Sequence, residues 1–164
     1  MIFVTVGTHE QPFNRLIKEI DKLVIEGDIK EKVIIQKGYS TYNPVCCETY
    51  KMMSYQQMQK YIRKAHIVIT HGGPSSFLEV LQVGKVPIVV PRQEKFHEHI
   101  NNHQVEFTQL ITRRMNNIIP VYNISDLKNK IINYDNIINK KNNSESSNNI
   151  EFNKKFQKIV SDLF

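Results

Sequence analysis

The stretch Thr70-His71-Gly72-Gly73-Pro74-Ser75-Ser76-Phe77-Leu78-Glu79 carries the residue types, at the spacing, that a diphosphate site needs. The apolar run His66-Ile67-Val68-Ile69 precedes it and a helical pattern follows. Glycines let the backbone approach an anion closely, and a helix N-terminus supplies unsatisfied N–H groups and a partial positive charge. Ser75 and Ser76 add hydroxyl donors. His71 is a candidate donor to a phosphate oxygen or a sugar contact. Glu79 lies one turn inside the helix, where a carboxylate can accept from both hydroxyls of a ribose. The plain alternative is a strand-to-helix turn with a serine cap. The order strand, His71-Gly72-Gly73, Ser75-Ser76, Glu79 and then Gly84 favours the nucleotide site.

Two further segments hold titratable groups. In Gly7-Thr8-His9-Glu10, Gly7 and Thr8 offer backbone and hydroxyl donors to phosphate. His9 or Glu10 is the candidate general base, because both titrate usefully and lie on a loop after the first strand. The segment Pro91 to Gln104 holds three histidines and two glutamates. His99 and His103 have the HxxxH spacing but lack the internal glutamate of metalloprotease helices, so no metal is expected. Glu98 and His99 read instead as hydrogen-bond partners of sugar hydroxyls, with Asn102 and Gln104 nearby. His97 and His103 fit a solvated helix face. Tyr50, Tyr55 and Tyr61 read as core or surface aromatics.

The elements that must position these residues follow from periodicity. Residues 1–6 and Val33–Gln36 form apolar, β-branched runs, each followed by a glycine turn, and read as buried strands. Val45–Tyr50, which includes the adjacent Cys46 and Cys47, reads as a short strand. His66–Thr70, Pro87–Pro91 and Ile118–Tyr122 complete the set. Phe13–Ile25 has apolar residues at Phe13, Leu16, Ile17, Ile20, Leu23 and Val24, the spacing of one helix face. Ser54 caps a helix over Tyr55–Lys64. Pro74 or Ser75 opens the next, Gly84 stops it, and another runs from the 92–96 loop to about Ile111. Ser125 or Asp126 caps a helix to about Ile138. The alternation predicts an α/β fold with a parallel sheet and helices on both faces. The loops at 7–12, 71–75 and 91–98 leave strand carboxyl ends and are expected to share one crevice.

The domain reading is a Rossmann-like domain over 1–138, a polar linker over 139–149 and an amphipathic C-terminal helix over 150–164. With 164 residues, one domain with a workable core is expected. No apolar run approaches the roughly 20 residues of a membrane span. The N-terminal stretch reads as a strand and not a signal peptide, so the expected compartment is the cytoplasm. The formal charge of +6 favours anionic partners but does not locate a patch. No nucleic-acid-binding motif accompanies it.

Residues 70–104 resemble the carboxy-terminal, donor-binding domain of GT-B glycosyltransferases. They are similar to the region shared by plant-type UDP-glycosyltransferases and the lipid-linked N-acetylglucosaminyltransferase of peptidoglycan synthesis. His71, Gly72, Gly73, Ser75, Ser76, Glu79, Gly84, Pro87 and Pro91 carry the match. His99 stands where the commonest pattern has glutamine. The opening Met1 to Phe13 is similar to small bacterial capsule and exopolysaccharide transferases of two-component type, related to the eukaryotic Alg13–Alg14 pair. The resemblance covers roughly residues 1–135 and implies a single GT-B half. Implied with it are a UDP-sugar donor, no cofactor and no metal, and inverting transfer of a hexose to a lipid-diphosphate-linked saccharide. Galactose is the first expectation for the donor, with UDP-GlcNAc or UDP-glucose as alternatives. A membrane-anchored, Alg14-like subunit is expected to supply the acceptor half and hold the chain at the inner face of the plasma membrane. A non-catalytic enhancer subunit is the rival of another class, and self-association of the lone chain stays open.

Overall fold

A computed structural model describes residues 1–144 of the chain. Six strands form one parallel sheet: β1 Ile2–Thr5, β2 Val33–Gln36, β3 Glu48–Tyr50, β4 Ile67–His71, β5 Ile88–Val90 and β6 Ile119–Pro120. The sheet order is β3-β2-β1-β4-β5-β6. Val4 lies between Ile35 and Ile69 in register, so the middle of the sheet is wholly aliphatic. Strands β1, β2 and β5 are buried at every residue. Burial on both faces is what a parallel sheet covered by helices requires.

The helices are α1 Asn14–Ile25, α2 Tyr55–Lys64, α3 Pro74–Gln82, α4 His103–Met115, α5 Leu127–Ile132 and α6 Tyr134–Ser144. On one face Phe3, Ile34 and Val68 pack with Ile62 of α2 and Val80 of α3. Helix α1 buries Leu16, Ile17, Ile20 and Leu23, the stripe read from the sequence. Ser54 caps α2 with a complete capping box, its hydroxyl accepting from Gln57 N–H while the Gln57 side chain accepts from Ser54 N–H.

Several boundaries differ from expectation. The strand expected at Val45 begins at Glu48, so Cys46 and Cys47 are not strand residues. The N–H groups of Val45 and Cys46 instead donate to the fully buried carboxylate of Asp21 on α1, each at 3.0 Å. The helix expected soon after residue 96 starts only at His103. A 3-10 turn over Glu94–Phe96 ends at His97 in the left-handed region, φ 56°, and Asn102 Oδ1 accepts from Glu94 N–H. These local bonds compete with helix continuation. The helix then runs on past Ile111 to Met115.

The chain divides into two compact units, Met1–Tyr134 and Asp135–Phe164. Helix α5 ends at Ile132, and the polar stretch from 139 is helical through Ser144. The rest of the linker and the terminal helix over 150–164 lie outside the described residues.

Candidate functional site

A cleft of about 630 Å³ opens between the loop after β1 and the turn from β4 into α3. Strand β1 is where the sheet order reverses, since its neighbours are β2 and β4. Diverging connections leave a crevice at such a point. Thr5, Gly7, Thr8, His9, Glu10, Gln36, Met53, Met58, His71, Ser75 and Ser76 line it. The 7–10 loop and the serines of the 71–76 turn, far apart in sequence, therefore face one space.

His71 is the centre of this arrangement. Its Nδ1 accepts the Gly73 N–H at 3.0 Å, so that nitrogen carries no proton. In the neutral ring Nε2 then carries it and donates to Ser76 Oγ at 2.7 Å. Burial first, and the Arg92 charge second, pull the ring's pKa down to about 3, so it stays neutral. Two consequences follow. Both ring nitrogens are engaged within the protein, which leaves neither for a phosphate or a sugar. The Ser76 hydroxyl, having accepted from His71, keeps its own proton to donate into the cleft. This polarity is the reverse of a nucleophilic serine activated by a histidine base.

The glycines make room for that ring. A Cβ on Gly7, whose φ is +76°, would sit 2.4 Å from His71 Nε2, and one on Gly73 would sit 2.2 Å from its Cε1. A Cβ on Gly72 would meet the Gln104 Cβ at 2.9 Å. The glycine N–H groups are themselves occupied. Gly7 N–H donates to Thr5 Oγ1 at 3.3 Å and Gly72 N–H to Gln104 Oε1 at 3.0 Å. The glycines thus act through close approach, not as free anion donors. The donors left to the cleft are the hydroxyls of Thr8, Ser75 and Ser76, beside the positive end of α3; Pro74 at its start has no N–H, and the Ser76 N–H donates to the Gly73 carbonyl at 3.2 Å.

Buried polar residues fix the loops. Gln36 closes β2, accepts from Thr5 Oγ1 at 2.7 Å and donates to the Gly7 carbonyl at 3.2 Å. Arg92 has no exposed surface, and its guanidinium donates to the carbonyls of Val6 at 2.7 Å, Gln11 at 2.7 Å and Glu98 at 3.0 Å. Burial lowers its pKa to about 10, against the raising effect of Glu98, and it remains a cation behind the cleft. Gln104 Oε1 accepts from both Gly72 N–H and Arg92 N–H. The 91–98 loop therefore docks on the other two, although none of its residues lines the cleft.

Glu98 and Glu79 stand differently from the sequence expectation. Glu98 is 3% exposed; its carboxylate accepts from Arg15 Nε at 2.8 Å, Arg15 Nη2 at 2.9 Å and Gln93 N–H at 3.0 Å. These partners turn it toward α1 and the 91–98 loop. Glu79 is half-buried outside the cleft lining, where Gln59 of α2 donates to it at 3.2 Å. Burial raises its pKa, with the Gln59 bond opposing. His99 also lies outside the lining, but its ring stacks on His9 with centroids 4.5 Å apart and an interplanar angle of 16°. Glu10 lines the cleft and is exposed. No group of three or more His, Cys, Asp or Glu side chains arranged for a metal occurs among the described residues.

Gln36, Arg92 and Arg15 were not legible as site residues. A glutamine ending the apolar run Val33-Ile34-Ile35, and an arginine two residues past the end of β5, were the available signals.

A parallel sheet in this order, with one polar crevice at the reversal point, defines a Rossmann-like α/β half-domain. The sequence model of the glycosyltransferase family 28 C-terminal domain matches residues 1–163, and the chain belongs to that family. It is 37% identical over 117 residues to the human UDP-N-acetylglucosamine transferase subunit ALG13, covering 66% of this chain and 10% of that protein. It is also 37% identical over 51 residues to the subunit of the same name from Yarrowia lipolytica, covering 31% of this chain and 24% of the relative. The chain thus spans a small part of the relatives it matches. Among solved structures, the glycosyltransferase SnogD from Streptomyces nogalater aligns with a TM-score of 0.38 and 15% identity, over 81% of this chain and 43% of that one. No helix among the described residues is long and apolar enough to cross a membrane.

Proposed function

We propose that this chain is the donor-binding subunit of a two-chain, UDP-sugar-dependent glycosyltransferase, with UDP-N-acetylglucosamine as its donor. The observation that carries the reading is the cleft at the β1/β4 reversal, with Ser75 and Ser76 at the α3 N-terminus and Arg92 fixed behind it. Two relatives named as UDP-N-acetylglucosamine transferase subunits favour that donor over galactose, and nothing adds support for a capsule role. The described cleft is open on one side of a single half-domain, which suits a partner that brings a lipid-linked saccharide to it. An Alg14-like membrane subunit fits that part, and would hold the chain at the cytoplasmic membrane face.

In this mechanism an acceptor hydroxyl attacks the anomeric carbon as the bond to the β-phosphate oxygen breaks. The hydroxyl proton passes to His9 or Glu10, both on the cleft wall. The seryl hydroxyls, the α3 dipole and the Arg92 charge stabilise the negative charge growing on the departing UDP. His71 and Glu98 serve by position: one aims Ser76, the other anchors the 91–98 loop to α1. Glu79 keeps Oε1 for a ribose hydroxyl, since Gln59 donates only to Oε2.

Calorimetric titration with UDP, UDP-GlcNAc, UDP-glucose and UDP-galactose tests the donor reading. UDP-GlcNAc is expected to bind most tightly, and Ser76→Ala to weaken all four by about tenfold, one hydrogen bond to a charged group. Equal affinity for the three sugars leaves the donor assignment without support, and no binding of any, with the partner chain present, ends the transferase reading.

A further inference from the structure

The stacked pair of His9 and His99 is not used by the diphosphate site. His9 lies on the loop after β1 and lines the cleft; His99 lies outside the lining, in the chain between the 94–96 turn and α4. Their rings are nearly parallel, 16° apart, at a 4.5 Å centroid separation. Each ring has one nitrogen tied locally. His9 Nε2 meets Gln11 Oε1 at 2.8 Å, and an amide oxygen only accepts, so Nε2 carries the proton and Nδ1 keeps a lone pair. His99 Nδ1 accepts the Asn101 N–H at 3.4 Å, so its proton sits on Nε2. The two loops are joined by one side chain, since Arg92 donates to the carbonyls of both Gln11 and Glu98, the neighbours of these tied groups.

We infer that His99 is a positioning residue for His9: its ring is the backstop that fixes the His9 imidazole in one plane and one tautomer, with the Nδ1 lone pair available for a proton. This rests on the reading of His9 as the base of the proposed transfer. Three observations support it. Stacking fixes the ring plane and so keeps Nε2 on Gln11, that bond fixes the tautomer, and the common Arg92 anchor fixes the distance between the loops. Charge acts in the same sense. Besides His9, the groups bearing on His99 are Arg92 and His103, and His71 feels both rings. All are cationic or become so on protonation, while Glu98 is paired with Arg15. Burial first, and His9 next, hold His99 below the ordinary imidazole range, so it backs His9 as a neutral ring. Two imidazolium ions in face contact would repel.

The test is the imidazole nitrogen spectrum of the full chain, read with turnover of the chain mixed with its acceptor-binding partner and UDP-GlcNAc. In the wild type His9 is expected to show the Nε2-protonated pattern. His99→Ala is expected to move that pattern toward a tautomer mixture and to lower kcat by roughly tenfold, within the span of general-base effects, with the donor KM within about twofold. His99→Phe, which keeps a flat ring, is expected to restore the single tautomer and most of kcat. In His9→Asn the titration midpoint of His99 rises, because a like charge has gone. An unchanged His9 pattern in His99→Ala, or a His99→Phe variant as poor as His99→Ala, overturns the inference. If His9→Asn keeps full turnover while the tautomer still responds to residue 99, the base assignment fails and the positioning stands.

Discussion

At the scale of single residues, the site is organised around one histidine ring set between two glycines. Gly7 and Gly27 give a matched pair for testing this. Both have positive φ, +76° and +80°, but a Cβ at Gly27 meets nothing within 4 Å, whereas at Gly7 it collides with His71. Gly27→Ala should therefore show only the left-handed backbone penalty, about 1 kcal/mol in urea unfolding, with UDP affinity unchanged. Gly7→Ala adds the clash. It should lose about 2 to 4 kcal/mol and weaken UDP binding by more than tenfold, because His71 must move and with it the Ser76 hydroxyl. Equal losses in the two variants would mean that the ring is not wedged as described.

At the scale of elements, the 91–98 loop is the part that binds the site together without entering it. The Arg15–Glu98 pair joins it to α1 across 83 positions, and Arg92 joins it to the β1 loop. Glu98→Gln keeps the shape but removes the charge that two Arg15 nitrogens share. It is expected to lower stability by about 1 to 3 kcal/mol, measured by thermal unfolding, and to change sugar selectivity little. A sugar-contacting Glu98 would give the opposite result, selectivity lost at constant stability. The strand and helix succession was legible because buried parallel strands and the α1 stripe write themselves as periodicity, as in Val33–Gln36 and Leu16 to Leu23. So was the meeting of the 7–10 and 71–76 segments, since both follow strand carboxyl ends. What periodicity does not carry is side-chain direction. Glu98 reads as a sugar ligand because charge near a crevice invites it; that its carboxylate meets the half-buried Arg15 of α1 is not written in the local sequence. The start of β3 was misread for the same reason. Asp21 takes the N–H groups of Val45 and Cys46, and nothing local in that segment announces it.

At the scale of the whole molecule, the buried titratable groups make stability depend on pH in two windows that overlap at their acid end. His71 is held neutral down to about 3, against an ordinary value of 6.5. Between these values the unfolded chain binds a proton that the folded chain refuses, so stability falls as pH falls from about 6.5 toward 3. The slope is up to about 1.4 kcal/mol per pH unit for one proton. His99, also lowered, acts in the same direction below 6.5. Asp21 belongs to the lower window. Burial alone would raise its pKa, but hydrogen bonds from Cys46, Val45 and Tyr42 outweigh that and hold it below 3.8. Its contribution is complete above that value and disappears only as pH drops through the folded pKa. Urea midpoints are therefore expected to stay level from about pH 8 to 7, fall from about 6, and fall more steeply below about 4, where the Asp21 loss adds to that of His71. His71→Gln should flatten the first decline while leaving the second, and Asp21→Asn should do the reverse. Because the folded His71 ring stays neutral down to about 3, its hold on Ser76 persists through the first window, so UDP-GlcNAc affinity of the folded chain should be kept while stability falls. If affinity instead falls in step with stability between about pH 6 and 4, then the folded ring takes up its proton in that window and is not held neutral as described.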